Sequence, residues 1–220
     1  MSKENFLQSS LGKKLVMGIT GLFLITFLVV HVGCNACIFA NDGGVLFNEV
    51  CHFMSHNFFI RVMEIVLFAG IFTHMIQALL LTLKNQKARP IKYAVTISAN
   101  TKWYSRSMGI LGSLLLMFFV VHWANFWVPT KVAVFTGKEE NTFEHMKEIF
   151  ASPVYVAIYL VGIFSLCYHL LHGFPSAFQT VGLNNKKYTP ILKKAGTLFS
   201  IVVCTLFAAM PITVYLGIIK

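Results

Sequence analysis

Four histidines stand well inside long apolar runs: His31, His74, His122 and His169. An ionisable side chain at bilayer depth is costly and marks a functional position by default. Imidazole is the commonest metal ligand among side chains, and paired imidazoles can hold a haem iron from both faces. One such histidine could as readily be a hydrogen-bonding or pore-lining residue. Four of them, on four successive runs and at two matched depths, favour ligation of two stacked haems. Zinc would draw three or four ligands to one depth, often with Cys. A proton-conducting channel would be expected to carry more membrane carboxylates than this chain has.

The depths follow from the elements that carry the histidines. Of 220 residues, 56% are hydrophobic and 12% charged, whereas a soluble domain carries about 25% charged residues. Mean hydropathy is +0.70, and the 21 Phe favour lipid contact. The net charge of +10 sits between the apolar runs, which points to membrane topology and away from nucleic acid. A membrane span needs about 20 apolar residues. Five runs qualify, at about 15–40, 58–83, 107–128, 153–174 and 195–217. The fold class expected is all-α: a single domain over residues 1–220, an integral membrane bundle of five transmembrane helices. The first run is too long for a signal-peptide core and no cleavage site follows it, so it is expected to be retained.

Basic residues set the expected orientation. Lys3, Lys13 and Lys14 precede the first span; Lys84, Lys87, Arg89, Lys92, Lys102 and Arg106 lie between the second and third; Lys186, Lys187, Lys193 and Lys194 lie between the fourth and fifth. The loop Asn41–Asn57 has no Lys or Arg, and the loop Pro129–Ser152 mixes Lys131, Lys138 and Lys147 with Glu139, Glu140, Glu144 and Glu148. The positive-inside rule then puts the N-terminus in the cytoplasm and the C-terminus outside. Trp123, Phe126 and Trp127 would belt the outer end of the third span, and Trp103 and Tyr104 its inner end. Phe143, Met146 and Phe150 share one face of a short surface helix expected over Asn141–Phe150.

Counted from the flanking basic residues, His31 lies about 25 Å and His122 about 24 Å from the inner edge, but His74 only about 15 Å. His169 also falls in the inner half. An outer pair, His31 with His122, and an inner pair, His74 with His169, result, with levels about 10 Å apart. Each pair joins diagonal helices of a four-helix arrangement, where bundle cofactors are built. Glycines on these four spans, among them Gly21, Gly70 and Gly162, would make room for a haem or simply let helices pack closely.

His172 follows His169 at i+3 and shares its face, as an alternative ligand or a contact to a haem propionate. His52, His56 and His145 are expected to be solvated. Arg61 and Glu64 are spaced for an i,i+3 ion pair. Glu64, or Glu49 in the preceding loop, is also a candidate proton acceptor at a quinone site, because quinol oxidation releases protons along with electrons. Cys34 and Cys37 have C-x-x-C spacing, but Ile38 follows where covalent haem attachment needs His. Packing is the expected role for these cysteines. A disulfide among Cys34, Cys37 and Cys51 would require an oxidising compartment.

These residues resemble the five-helix, single-chain dihaem cytochrome b subunits of succinate:menaquinone oxidoreductases and fumarate reductases. The opening helix carries Gly12-Lys13-Lys14, Met17, Thr20-Gly21-Leu22-Phe23, His31 and Asn35 in the family's manner. His74 and His122 stand at the expected second- and third-helix ligand positions. His169-Leu170-Leu171-His172-Gly173 fits the family's His-x-x-x-Gly with His169 as ligand, and Ser176–Asn184 looks like the Bacteroidetes-type branch. The resemblance implies two haem b groups, menaquinone as substrate, and iron–sulfur and flavoprotein subunits on the cytoplasmic side of a bacterial inner membrane. Cys167 stands where some dihaem fumarate reductases carry a glutamate used for proton movement, so no such pathway is implied here. The competing expectations are a haem b subunit of another menaquinone-linked dehydrogenase (formate dehydrogenase or hydrogenase type) and a haem-free small transporter.

Overall fold

A computed structural model describes residues 9–87, 107–138, 141–183 and 185–219. Among them every regular element is helical. The long helices are α1 (Ser10–Ala36), α3 (Phe58–Lys87), α4 (Met108–His122), α7 (Pro153–Thr180) and α8 (Tyr188–Tyr215). α4 continues through a wide π turn (Trp123–Trp127) into α5 (Val128–Thr136) as one span. Two short helices, α2 (Val45–His56) and α6 (Thr142–Phe150), lie between spans. Among the described residues five helices are long and apolar enough to cross a membrane. The chain is an all-α, multi-pass membrane protein. Arg89, Lys92, Lys102, Arg106, Trp103 and Tyr104, on which part of the charge and belt reading rests, lie outside the described residues, as do Lys3, Glu139 and Glu140.

Side-chain caps set several helix starts. Ser9 Oγ accepts from the Gly12 amide at 3.0 Å, Asn57 Oδ1 from those of Phe59 and Ile60, and Asn141 Oδ1 from that of Glu144. Two expected loops are partly helical. Asn41–Asn57 contains α2, and the third span does not stop at Val128 but runs to Thr136. Proline is tolerated in a first helical turn, and Pro129 occupies that place in α5 behind the π turn. Similarly, the fourth span continues through Pro175 to Thr180.

α1 packs against both α3 and α7, α4 packs against α7, and α8 lies on α1 and α7. Small residues bring the last two spans together: Ser165 and Ser200 are fully buried, each hydroxyl returned to a backbone carbonyl one turn back. Glycines make seats for aromatic rings. A Cβ on Gly162 would come within 2.4 Å of the Phe118 ring, and one on Gly196 within 2.8 Å of Phe174. For these two, close packing is the role; Gly33 and Gly112 have nothing within 4 Å of a Cβ position.

α2 and α6 cap one end of the bundle. Phe143, Met146 and Phe150, the face expected from their spacing, are buried with Ile38, Phe47 and Val214. Asn48 ties the two caps, donating to Asn141 Oδ1 and accepting from the Phe143 amide, both at 2.9 Å. Gly44 is required before α2: its φ is +82° and a Cβ would lie 2.2 Å from the Phe143 ring.

Candidate functional site

The fold brings the four histidines together as two facing pairs. The ring centroids of His31 (α1) and His122 (α4) are 5.8 Å apart, edge to face. Those of His74 (α3) and His169 (α7) are 6.3 Å apart. Each pair spans a diagonal of the square made by α1, α3, α4 and α7. Thr20 touches His74 and lies three turns before His31 on α1, so the levels are separated by about 16 Å along that axis. The spacing exceeds the expected 10 Å because Lys14 and Lys84, used as edges, do not share a plane: α3 projects further past the contact than α1.

At the His74 level, the Thr20 hydroxyl is 2.8 Å from the Val16 carbonyl and donates there. Its oxygen therefore accepts Nδ1–H from His74 at 3.1 Å. That bond leaves the other ring nitrogen with its lone pair, the state in which imidazole binds a metal. The buried Nδ1 of His169 has no hydrogen-bond partner. Gly21 keeps the wall beside His74 thin; a Cβ there would sit 3.7 Å from His74 Cε1. His172 lies a turn further along α7 and is half-buried; the ring that faces His74 is that of His169.

The other level is walled by aromatic rings. Phe27 stacks on His31 at 5.2 Å and Phe207 of α8 tilts against it at 5.5 Å. Phe118 stacks on His122 at 5.7 Å. Asn35 Nδ2 donates to the His31 carbonyl at 2.8 Å and stands 3.4 Å from its Nδ1. Tyr159 places its hydroxyl 3.5 Å from His122 Nδ1. In the sequence Tyr159 carries no signal, since a tyrosine inside a span is marked only once the partner helix is in place.

Both pairs fit a metal held between two imidazoles. Rings bound at about 2 Å on opposite sides of a metal have centroids on the order of 6 Å apart, close to both observed separations. A buried imidazole nitrogen without a protein partner, as at His169, also calls for a partner of another kind. Among the described residues no three His, Cys, Asp or Glu side chains converge on one point, so the arrangement offers pairs rather than a cluster.

Three expectations about neighbouring charges are corrected. Glu64 does not pair with Arg61. Because the third span continues past Pro129, Lys131 comes alongside and meets Glu64 Oε2 at 2.6 Å, while Trp127 Nε1 donates to Oε1 at 2.5 Å. Trp127 is thus more than a belt residue, and Arg61 lies over the Phe135 ring. His145 is not simply solvated: its Nε2 donates to the Asn125 carbonyl at 2.8 Å. Pro129, four residues on, has no N–H to offer that carbonyl, and the imidazole is a donor to it. His52 and His56 are exposed on α2 and stacked at 4.1 Å, and Glu49 is exposed on the same helix. No disulfide joins Cys34, Cys37 and Cys51. Cys167 turns toward α8, its Sγ 4.0 Å from the Ser200 carbonyl, away from the His74 level.

The chain is similar in sequence to known membrane proteins. The family model described as succinate dehydrogenase/fumarate reductase transmembrane subunit matches residues 85–208. The succinate dehydrogenase cytochrome b558 subunit of Bacillus subtilis (strain 168) is 28% identical over 186 residues, covering 83% of this chain and 82% of that protein. No solved structure matches. With its five apolar helices, the chain belongs to the family of transmembrane cytochrome b anchor subunits of succinate dehydrogenases and fumarate reductases.

Proposed function

We propose that the chain holds two haem b groups, one between His31 and His122 and one between His74 and His169, and carries electrons between an iron–sulfur subunit and menaquinone. The observation that carries this reading is the pairing itself: four imidazoles from four helices, meeting two by two across both diagonals. When bound, each haem supplies one-electron transfer at its iron. The chain's own residues hold and orient the ligands: Thr20 fixes the ring of His74, and Phe27, Phe118 and Phe207 wall the other level against water.

The distribution of Lys and Arg supports an N-terminus in the cytoplasm. The His74–His169 level would then be nearer the iron–sulfur and flavoprotein subunits, and the His31–His122 level nearer the outer surface and the quinone. Glu49 and Glu64 remain the candidate proton acceptors there. Glu49 is exposed to solvent, whereas Glu64 is already engaged by Lys131 and Trp127 and would need to exchange those partners. The direction of flow follows the partner's chemistry, succinate oxidation in one direction and fumarate reduction in the other.

The test is a haem-per-chain assay with reduced-minus-oxidised spectra on the purified protein. Two low-spin b-type haems are expected in the native chain and one in each of H31A, H74A, H122A and H169A. A well-folded preparation without haem overturns the reading in favour of a haem-free transporter.

A further inference from the structure

Four side chains and one backbone carbonyl form a continuous column from the cap to the His31–His122 level. His145, on the cap helix α6, donates to the Asn125 carbonyl at 2.8 Å. The Asn125 side-chain Nδ2 donates to the Tyr159 hydroxyl at 3.4 Å. That hydroxyl lies 3.5 Å from His122 Nδ1. Tyr159 is only 5% exposed. Phe118, Phe126 and Phe150 meet its ring edge to face at interplanar angles of 85°, 87° and 86°. The phenol is therefore clamped on three sides, with its oxygen as the polar end. The phenolic oxygen accepts from the Asn125 amide with one lone pair and keeps the other within reach of His122 Nδ1; with the opposite ring nitrogen bound to a metal, Nδ1 carries the ring proton and donates there.

We propose that Tyr159 is the positioning residue for His122. Its oxygen accepts Nδ1–H and so leaves the opposite ring nitrogen as the ligand atom, while Asn125 and His145 anchor the hydroxyl from the cap. The proposal rests on the reading that His122 ligates a haem. It assigns to the π turn a purpose beyond relieving Pro129: the turn carries Asn125, whose carbonyl meets the cap and whose amide meets the phenol. An acceptor on Nδ1–H makes the imidazole a more basic ligand, which favours the oxidised iron. Removing the acceptor therefore raises the midpoint potential of that haem alone.

The experiment is a redox titration of the purified haem-loaded protein with Y159F beside the native chain, haem content being measured first. Phenylalanine keeps the aromatic clamp and removes only the hydroxyl. The expected result is two haems in both proteins, with one potential raised in Y159F. At fixed potential the oxidised-to-reduced ratio of that haem falls about threefold, roughly 30 mV for one electron, and its low-spin EPR signal moves while the other haem stays in place. Two haems with unchanged potentials, or both potentials moving together, overturn the proposal and leave the two-haem reading intact. Absence of haem from the native chain overturns the reading itself, and the proposal with it. If Y159F does not assemble, N125A decides. It withdraws the anchor without touching the clamp; a smaller shift in the same direction supports the proposal, and no shift overturns it.

Discussion

Thr20 and His74 share one hydrogen bond across the α1–α3 contact, Oγ1 to Nδ1 at 3.1 Å, and it decides which imidazole nitrogen keeps a lone pair. The threonine can accept because its own proton goes to the Val16 carbonyl. T20V keeps the shape and removes the acceptor, leaving a buried N–H without a partner. A loss of about 1 kcal/mol is expected, with T20S near the native value. Thermal unfolding of the purified subunit in detergent measures it, and equal melting of T20V and T20S would remove the assigned role.

His169 and His172 are separated experimentally by counting haems. H169A is expected to retain one haem per chain and H172A two, because the ring facing His74 is that of His169. Pyridine haemochrome quantification reads the difference. The reverse result would transfer the ligand role to His172.

Much of this pairing was legible in the sequence. Alternating helix direction converts the positions of His31, His74, His122 and His169 into two levels with no knowledge of packing. The spacing of Phe143, Met146 and Phe150 likewise marks one face of a short helix, and the structure buries that face. What escaped is what depends on where helices stop. Pro129 reads as a terminator, yet the π turn carries the helix past it, and only then does Lys131 reach Glu64. The column through Asn125 and Tyr159 was also hidden, because it depends on contacts between helices. The level separation was underestimated because lysines near span ends need not lie in one plane.

Gly162 admits the Phe118 ring, which stacks on His122. G162A forces that ring aside, and overpacking of this kind costs about 1–3 kcal/mol. G112A, inside the helix that carries Phe118 and where a Cβ meets nothing within 4 Å, should raise stability by up to about 1 kcal/mol. Paired thermal melts compare the two. Helix propensity alone favours alanine at both positions, so an equal change at the two would mean that the seat for Phe118 does not govern Gly162.

Glu64 and Lys131 join α3 to α5 through a half-buried ion pair. The separate losses in E64Q and K131M are expected to sum to more than the loss in the double variant, with a coupling of about 1 kcal/mol. A double-mutant cycle on thermal stability supplies the value. Strict additivity would show that the pair contributes nothing through mutual contact.

Gly44 holds a positive φ beneath Phe143. G44A combines left-handed backbone strain of about 1–2 kcal/mol with a clash against a fully buried ring. Faster proteolysis within Thr142–Phe150 is expected, since α6 must lift to admit the methyl group. Unchanged cleavage would show that the ring yields instead.

The two imidazole pairs interleave along the chain: first span with third, second with fourth. No single cut leaves each fragment with a complete pair. A break between α3 and α4 separates both pairs at once, with His31 and His74 on one piece and His122 and His169 on the other. A nascent chain likewise has no complete pair until its third span has been made, and lacks the second until its fourth. Neither half of the chain therefore holds a complete pair by itself. Both pairs together need all four helices of the square.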